Sequence, residues 1–122
     1  MKARGLWVDD KPSGNRRERA ALKSRVEFAL ARSTDDAIEM LTENGFDVVI
    51  SNWTRPGEDG GALALLGRME TLTHRPPVVI YTGRQDDARA GDAMRKGAFG
   101  YATRPRELYE LVTRAVETRR RP

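Results

Sequence analysis

The sequence predicts an α/β fold: one doubly wound, five-stranded parallel sheet flanked by five helices, formed by residues 1–122 as a single domain. Three observations predict it. Short apolar runs alternate with helical patterns along the whole chain, which is the pattern of a parallel sheet built by right-handed crossovers. The run Val48-Val49-Ile50 is continuous rather than alternating, as in a strand buried on both faces. The length of 122 residues is that of one ordinary domain, with no internal repeat and no low-complexity linker.

Leu6 to Val8 reads as the first strand, stopped by Asp9 and Asp10 and by the breakers Pro12 and Gly14. A helix follows from about Asn15, its expected N-cap, to Arg25. Val26, Phe28 and Leu30 alternate within a strand from Val26 to Ala31. Ser33 or Thr34 caps the second helix, which turns Ala37, Ile38 and Leu41 inward and stops at Asn44-Gly45. Phe46 to Ser51 is the central strand, Arg55 to Gly60 a loop, and Leu65, Leu66 and Met69 the inner face of a third helix. Pro76 and Pro77 open a strand from Val78 to Tyr81. Asp86 caps a fourth helix with a small face, Ala90, Ala93, Met94 and Gly97; interrupted by Gly91, it is expected to be loosely held. Ala98 to Ala102 forms the last strand, and from Pro105 a fifth helix carries Leu108, Leu111, Val112 and Ala115 on one stripe.

Composition narrows the function. The apolar fraction of 39% and charged fraction of 33% suit a globular domain. No apolar run approaches the length of a membrane span, so a cytoplasmic location and no membrane partner are expected. There is no cysteine, and His74 is the single histidine, in a Thr-rich loop that reads as surface. Thiolate and histidine metal clusters are thereby excluded. The net charge of +4 raises nucleic-acid binding as an alternative, but acids are interspersed nearly everywhere. Only Arg16, Arg17 and Arg19, and Arg119, Arg120 and Arg121, form unbalanced stretches, and these read as solvated helix faces and ends. Direct nucleic-acid binding is therefore not expected. Trp7 belongs to the core, whereas Trp53 is expected beside a pocket.

In open α/β sheets, ligands bind beyond the carboxyl ends of the strands. The side chains standing there are Asp9 and Asp10, Asn52, Thr82 and Arg104. Singly each reads as a turn or cap residue; together they form a pattern. The segments L-W-V-D-D at 6–10, D-V-V-I-S-N-W-T-R-P-G-E-D-G at 47–60, P-V-V-I-Y-T-G at 77–83 and G-A-F-G-Y-A-T-R-P at 97–105 resemble, in order and spacing, the receiver domains of two-component response regulators. The resemblance covers almost the whole chain. It implies a flavodoxin-like sheet of strand order 2-1-3-4-5.

In that family an acid pair and an acceptor aspartate hold Mg²⁺, the acceptor takes a phosphoryl group from a histidine kinase, and a hydroxyl and a lysine hold the phosphoryl oxygens. By resemblance, Asp9 and Asp10 are the acid pair and Thr54 offers its backbone carbonyl to the metal. Thr82 is the hydroxyl and Tyr101 the switch aromatic. Two positions depart. Asn52 stands at the acceptor position, and an amide lacks the anionic oxygen that attacks phosphorus. Arg104 stands where the family has lysine; with Asn52 removing one of the three carboxylates, the pocket carries less negative charge and Mg²⁺ is expected to bind weakly or not at all. Asp47 lies at the start of the central strand and Asp59 at the start of the third helix, neither able to replace the acceptor. The resemblance also implies a cis peptide at Arg104-Pro105 that aims Arg104 at Asp9 or Asp10.

The function expected on this basis is a phosphorylation-independent signalling and protein-interaction module, not an enzyme and with no required cofactor. Its partner is another protein or a second copy, bound through helix four, strand five and helix five, with Tyr101, Arg106, Tyr109 and Arg114 as candidate contacts. Two alternatives stay open: an ordinary Mg²⁺-dependent receiver carrying an Asp-to-Asn change at residue 52, and a basic nucleic-acid-binding domain.

Overall fold

The computed structural model describes residues 2–58 and 60–120; Asp59 and Arg121, named above, lie outside the described residues. The order is β1 (Ala3–Val8), a 3-10 turn (Pro12–Asn15), α1 (Arg16–Leu22), β2 (Val26–Ala31), α2 (Thr34–Glu43), β3 (Val48–Ser51), α3 (Gly61–Met69), β4 (Val78–Tyr81), α4 (Asp87–Arg95), β5 (Gly100–Ala102) and α5 (Pro105–Arg120). The five strands are all parallel, in the order β2-β1-β3-β4-β5. The sheet is the doubly wound, flavodoxin-like one that the sequence predicts.

Burial on both faces explains the continuous apolar run of β3. Val49 joins Leu6, Val8 and Ile80 in a core closed by Ala37, Leu41, Leu65, Leu66, Met69 and Ala93 from α2, α3 and α4. Val48 and Ile50 point the other way, into a core of Trp7, Val26 and Val79 closed by Leu22 of α1 and Leu108, Val112 and Ala115 of α5. Trp7 is buried and meets Phe28 and Tyr81 edge to face, so it is the bulk of this second core. Ser33 accepts from Asp36 N and Asp86 from Arg89 N, so both caps form where the sequence puts them. α4 buries only Ala93 and leaves Met94 half exposed, so it has little apolar anchorage.

The boundaries differ at four places, each for a local reason. β1 starts at Ala3, before its apolar run, because Ala3 N donates to Arg25 O and Gly5 leaves room for the Phe28 ring. The first helix is shorter than the Arg/Glu pattern suggests, preceded by a 3-10 turn and followed by a turn through Lys23 that returns Arg25 N to Leu22 O. β3 begins at Val48 because Phe46, though buried, sits under the Arg4 guanidinium rather than in the ladder. β5 begins at Gly100, with Ala98 N instead bonded to Ala93 O at the end of α4.

The expected cis bond at Arg104-Pro105 is absent; the bond is trans. Pro105 is the first residue of α5, where its fixed φ suits the helix and its missing N–H costs nothing. Glu107 reaches back to accept from Thr103 N and Arg104 N, and Leu108 N donates to Arg104 O, so a capped helix start defines this turn.

α5 packs directly on β5: a Cβ at Gly100 would lie 2.6 Å from a Leu111 methyl. Gly100→Ala should therefore destabilise the fold by about 1–3 kcal/mol through overpacking. A denaturant melt showing an unchanged midpoint would contradict this packing.

Candidate functional site

The sheet register sets the site. Val8 pairs with Ser51, Ser51 with Ile80 and Tyr81 with Ala102, so Asp9, Asn52, Thr82 and Thr103 leave neighbouring strands at one edge of the sheet. Asn52 N donates to Val8 O and Thr82 N to Ala102 O, which ties each first loop residue to the adjoining strand. Together with Trp53 and Arg89 these residues line a cavity of about 310 Å³.

Asn52 is the centre of the arrangement. Its amide nitrogen lies 3.3 Å from Asp9 Oδ1, 3.1 Å from Asp10 Oδ1 and 2.9 Å from the Thr54 carbonyl oxygen. Its amide oxygen accepts from Arg55 Nη1 at 2.8 Å. With acceptors on one side and a donor on the other, only one orientation of the amide satisfies the network. Asp9 is buried and held by further donors, Lys11 N at 2.8 Å and Asn15 Nδ2 at 2.9 Å. Asn15 stands at the N-cap position of α1, as its type and position suggest, but its side chain serves Asp9 and makes no capping bond.

The sequence places Arg55 only at the start of a loop and assigns it no role. Arg55 is 2% exposed. Each of its five N–H groups meets an acceptor. Nε pairs with the Glu58 carboxylate, Nη1 with Ser51 Oγ and Asn52 Oδ1, and Nη2 with Thr34 Oγ1 and Gly61 O. Glu58 in turn accepts from Thr34 N at 3.0 Å, so the guanidinium and its carboxylate clamp the β3–α3 loop to the start of α2. The backbone serves the same clamp: Gly60 and Gly61 have positive φ, and a Cβ at Gly61 would lie 2.2 Å from the Trp53 carbonyl oxygen. The one available signal was the Arg55–Glu58 spacing of three residues beside a glycine pair.

Arg104 corrects the opposite way. It is exposed and has no ion pair with Asp9 or Asp10, because the Glu107-capped turn ahead of α5 carries it away from the acids. The pocket's nearest guanidiniums belong to Arg55 behind Asn52 and to Arg89, which lies over the Trp53 ring at 5.2 Å. Tyr101 meets the same ring edge to face at 6.1 Å and donates its hydroxyl to Arg84 O. Burial, only partly offset by the Arg89 charge, pushes the Tyr101 phenol above its ordinary range, so it remains a donor at neutral pH.

The four candidate surface residues do not share one face. Tyr101 packs on the face of the sheet covered by α2, α3 and α4, whereas Leu111 of α5, one turn before the exposed Arg114, packs over Gly100 on the other face. Tyr109 packs with the core under α1, where burial and the nearby Glu18 charge raise its phenol. Arg106, seven residues before Thr113, shares the side of α5 that Arg25 reaches through Thr113 Oγ1. Among the described residues no group of three or more His, Cys, Asp or Glu side chains is placed to hold a metal, and no helix is long and apolar enough to cross a membrane.

Residues 6–116 match the model of the response regulator receiver domain. The chain belongs to that family. It is 35% identical to the response regulator protein FleR of Pseudomonas aeruginosa, over 93% of this chain and 24% of that protein. It is 34% identical to the DNA-binding transcriptional regulator NtrC of Klebsiella pneumoniae, over 93% of this chain and 25% of the relative. This receiver thus spans about a quarter of either. Among solved structures, a LuxR-family two-component response regulator from an Aurantimonas species superposes with a TM-score of 0.82 at 26% identity, over 98% of this chain and 89% of that one.

Two stability outcomes follow for this receiver. Arg55→Ala leaves Glu58, Ser51, Thr34 and the Asn52 carbonyl without their shared donor and should cost about 3–5 kcal/mol, whereas Arg104→Ala should stay within about 0.5 kcal/mol. Denaturant melts compare them, and similar costs would contradict the placement of the two arginines. The second outcome concerns acid. Burial favours the neutral Glu58, but hydrogen bonds from Thr34 and the Arg55 charge outweigh it and hold the carboxyl below its usual range. Its contribution is present above the ordinary carboxylate pKa and is lost as pH falls through the lowered folded value. Glu58→Gln should flatten that part of the stability–pH curve; an unaltered slope would contradict the clamp.

Proposed function

We propose that this receiver works as a protein-interaction module that takes no phosphoryl group. The observation that carries the reading is the place of the Asn52 amide nitrogen, within 3.3 Å of Asp9, Asp10 and the Thr54 carbonyl. These are the oxygens that the family resemblance assigns to Mg²⁺. A divalent ion needs them as its own ligands and keeps several waters, while here an N–H donor stands among them. The residues present do not fit the ion. Asn52 also supplies no carboxylate oxygen to form an acyl phosphate.

An alternative is an ordinary receiver carrying a single Asp-to-Asn change. The hydrogen bonding favours a site organised around the amide, because both of its ends are used: the oxygen accepts from Arg55 and the two N–H groups share three acceptors. A carboxylate offers no donor and would stand as a third acid beside Asp9 and Asp10.

With the strand ends fixed in one arrangement, partner binding falls to the surface of α4, β5 and α5. Met94 is half exposed there, Tyr101 is tied through Trp53 to the pocket, and Arg114 is exposed on α5. A protein partner or a second copy fits this mixed surface. Signalling without turnover, no bound cofactor and a cytoplasmic setting complete the proposal.

Incubation with acetyl phosphate and Mg²⁺ tests it. The intact mass should not change, and beryllofluoride should leave the amide resonances of Thr82 and Tyr101 in place. An adduct mapped to the pocket would overturn the reading. Asn52→Asp restores a nucleophile but leaves it paired with Arg55, so labelling should be slow, and Arg104→Lys should add nothing. Full, fast labelling of the single variant would favour the ordinary receiver.

A further inference from the structure

We propose that the cleft between α1 and the end of β2 is a second site, which binds a multiply charged phosphate group carried by a small molecule. The cleft holds about 410 Å³, and Asp10 on its wall links it to the Asn52 amide by a hydrogen bond. Lys11, Arg16, Arg19 and Arg32 line it, together with the half-exposed Leu30. Cavities of this size take small ligands, and arginine forks suit phosphate oxygens.

A solvated basic face is the competing explanation, and two observations weigh against it. Three exposed arginines elsewhere pair with acids, Arg68 with Asp35, Arg84 with Asp86 and Arg95 with Asp92, while Arg104 stands exposed and alone rather than in a cluster. Among the described residues, none of the four cations of the cleft has a carboxylate within ion-pair distance. The second observation is Arg19 Nη1, which is buried without any acceptor. An unmade hydrogen bond to a buried charged donor is costly, and a small shift of the guanidinium off the Trp7 ring towards an anion in the cleft would supply the missing oxygen. Burial, only partly offset by the Asp9 and Glu18 charges and joined by the like charge of Arg16, also pulls the Arg19 guanidinium below its usual range.

Asp10 is the one carboxylate on the wall, and its Oδ1 is engaged by the Asn52 amide on the far side. Arg19 lies over the Trp7 ring at 5.4 Å from its centroid. A ligand that draws the guanidinium towards itself is therefore felt at the indole. Leu30 and Pro12 add an apolar wall beside the cations, suited to the uncharged part of a phosphate ester.

The test is titration of the whole chain with inorganic pyrophosphate and, separately, with ADP, followed by calorimetry and by the Trp7 indole resonance. One saturable site is expected, weakening as salt rises. Arg19→Gln and Arg32→Gln should each weaken it about tenfold or more, the worth of a charge-assisted hydrogen bond, while Arg68→Gln should not. Tighter binding of ADP than of pyrophosphate, lost in Leu30→Ser, assigns the ligand to a nucleotide; equal binding assigns it to the phosphate group alone. Absence of saturable binding to either probe, binding that survives loss of both Arg19 and Arg32 in folded protein, or binding only to duplex DNA would overturn the proposal.

Discussion

The structure of the functional edge depends on one buried guanidinium. Taking Arg55 out of water is costly unless its charge is matched and its donors are used. Both conditions are met, by Glu58 and by acceptors from α2, β3 and the start of α3. The same bonds fix the β3–α3 loop, aim the Asn52 oxygen inward and so present its nitrogen to Asp9 and Asp10. Remove the guanidinium and the amide loses the partner that sets its orientation.

That constraint reaches the proposed docking surface through aromatic contacts. Trp53 follows Asn52 directly and meets Tyr101 of β5, while Arg89 of α4 covers its ring. α4 buries only Ala93, so these contacts supply much of what holds its first turns against the sheet. On the proposed reading, hydrogen bonds at the strand ends take the place of a chemical event there, and the surface of α4 and β5 keeps the arrangement those bonds favour. Phosphoryl transfer is one way to set such a surface, and a built-in donor is another.

Much of this was legible in the sequence. β2 and β4 fall where alternation and the paired prolines put them, because edge and core burial follow local pattern. Asp9, Asp10, Asn52 and Thr82 stand at strand ends because strand ends are local features as well. What escaped were partnerships between distant residues. The burial of Arg55 rests on Thr34, 21 residues away, and its local setting, Arg-Pro-Gly, reads as an exposed turn. The same limit misplaced Arg104, where the sequence motif suggested a pocket cation and the Glu107 cap turns the backbone elsewhere. Asn15 does occupy the N-cap position of α1, but its side chain donates through Nδ2 to Asp9 instead of accepting from the first turn of the helix.

The central claim is that an amide nitrogen stands where the resemblance puts a metal, and the side-chain NH₂ resonances of Asn52 report on it directly. Titrating Mg²⁺ into the isotope-labelled wild-type chain should leave those two proton signals and the Asp9 and Asp10 amides unshifted, beyond what the same ionic strength of a sodium salt produces. A saturable, Mg²⁺-specific displacement of the Asn52 signals would contradict the account, because it would mean that the acids and the Thr54 carbonyl release the amide to take a cation.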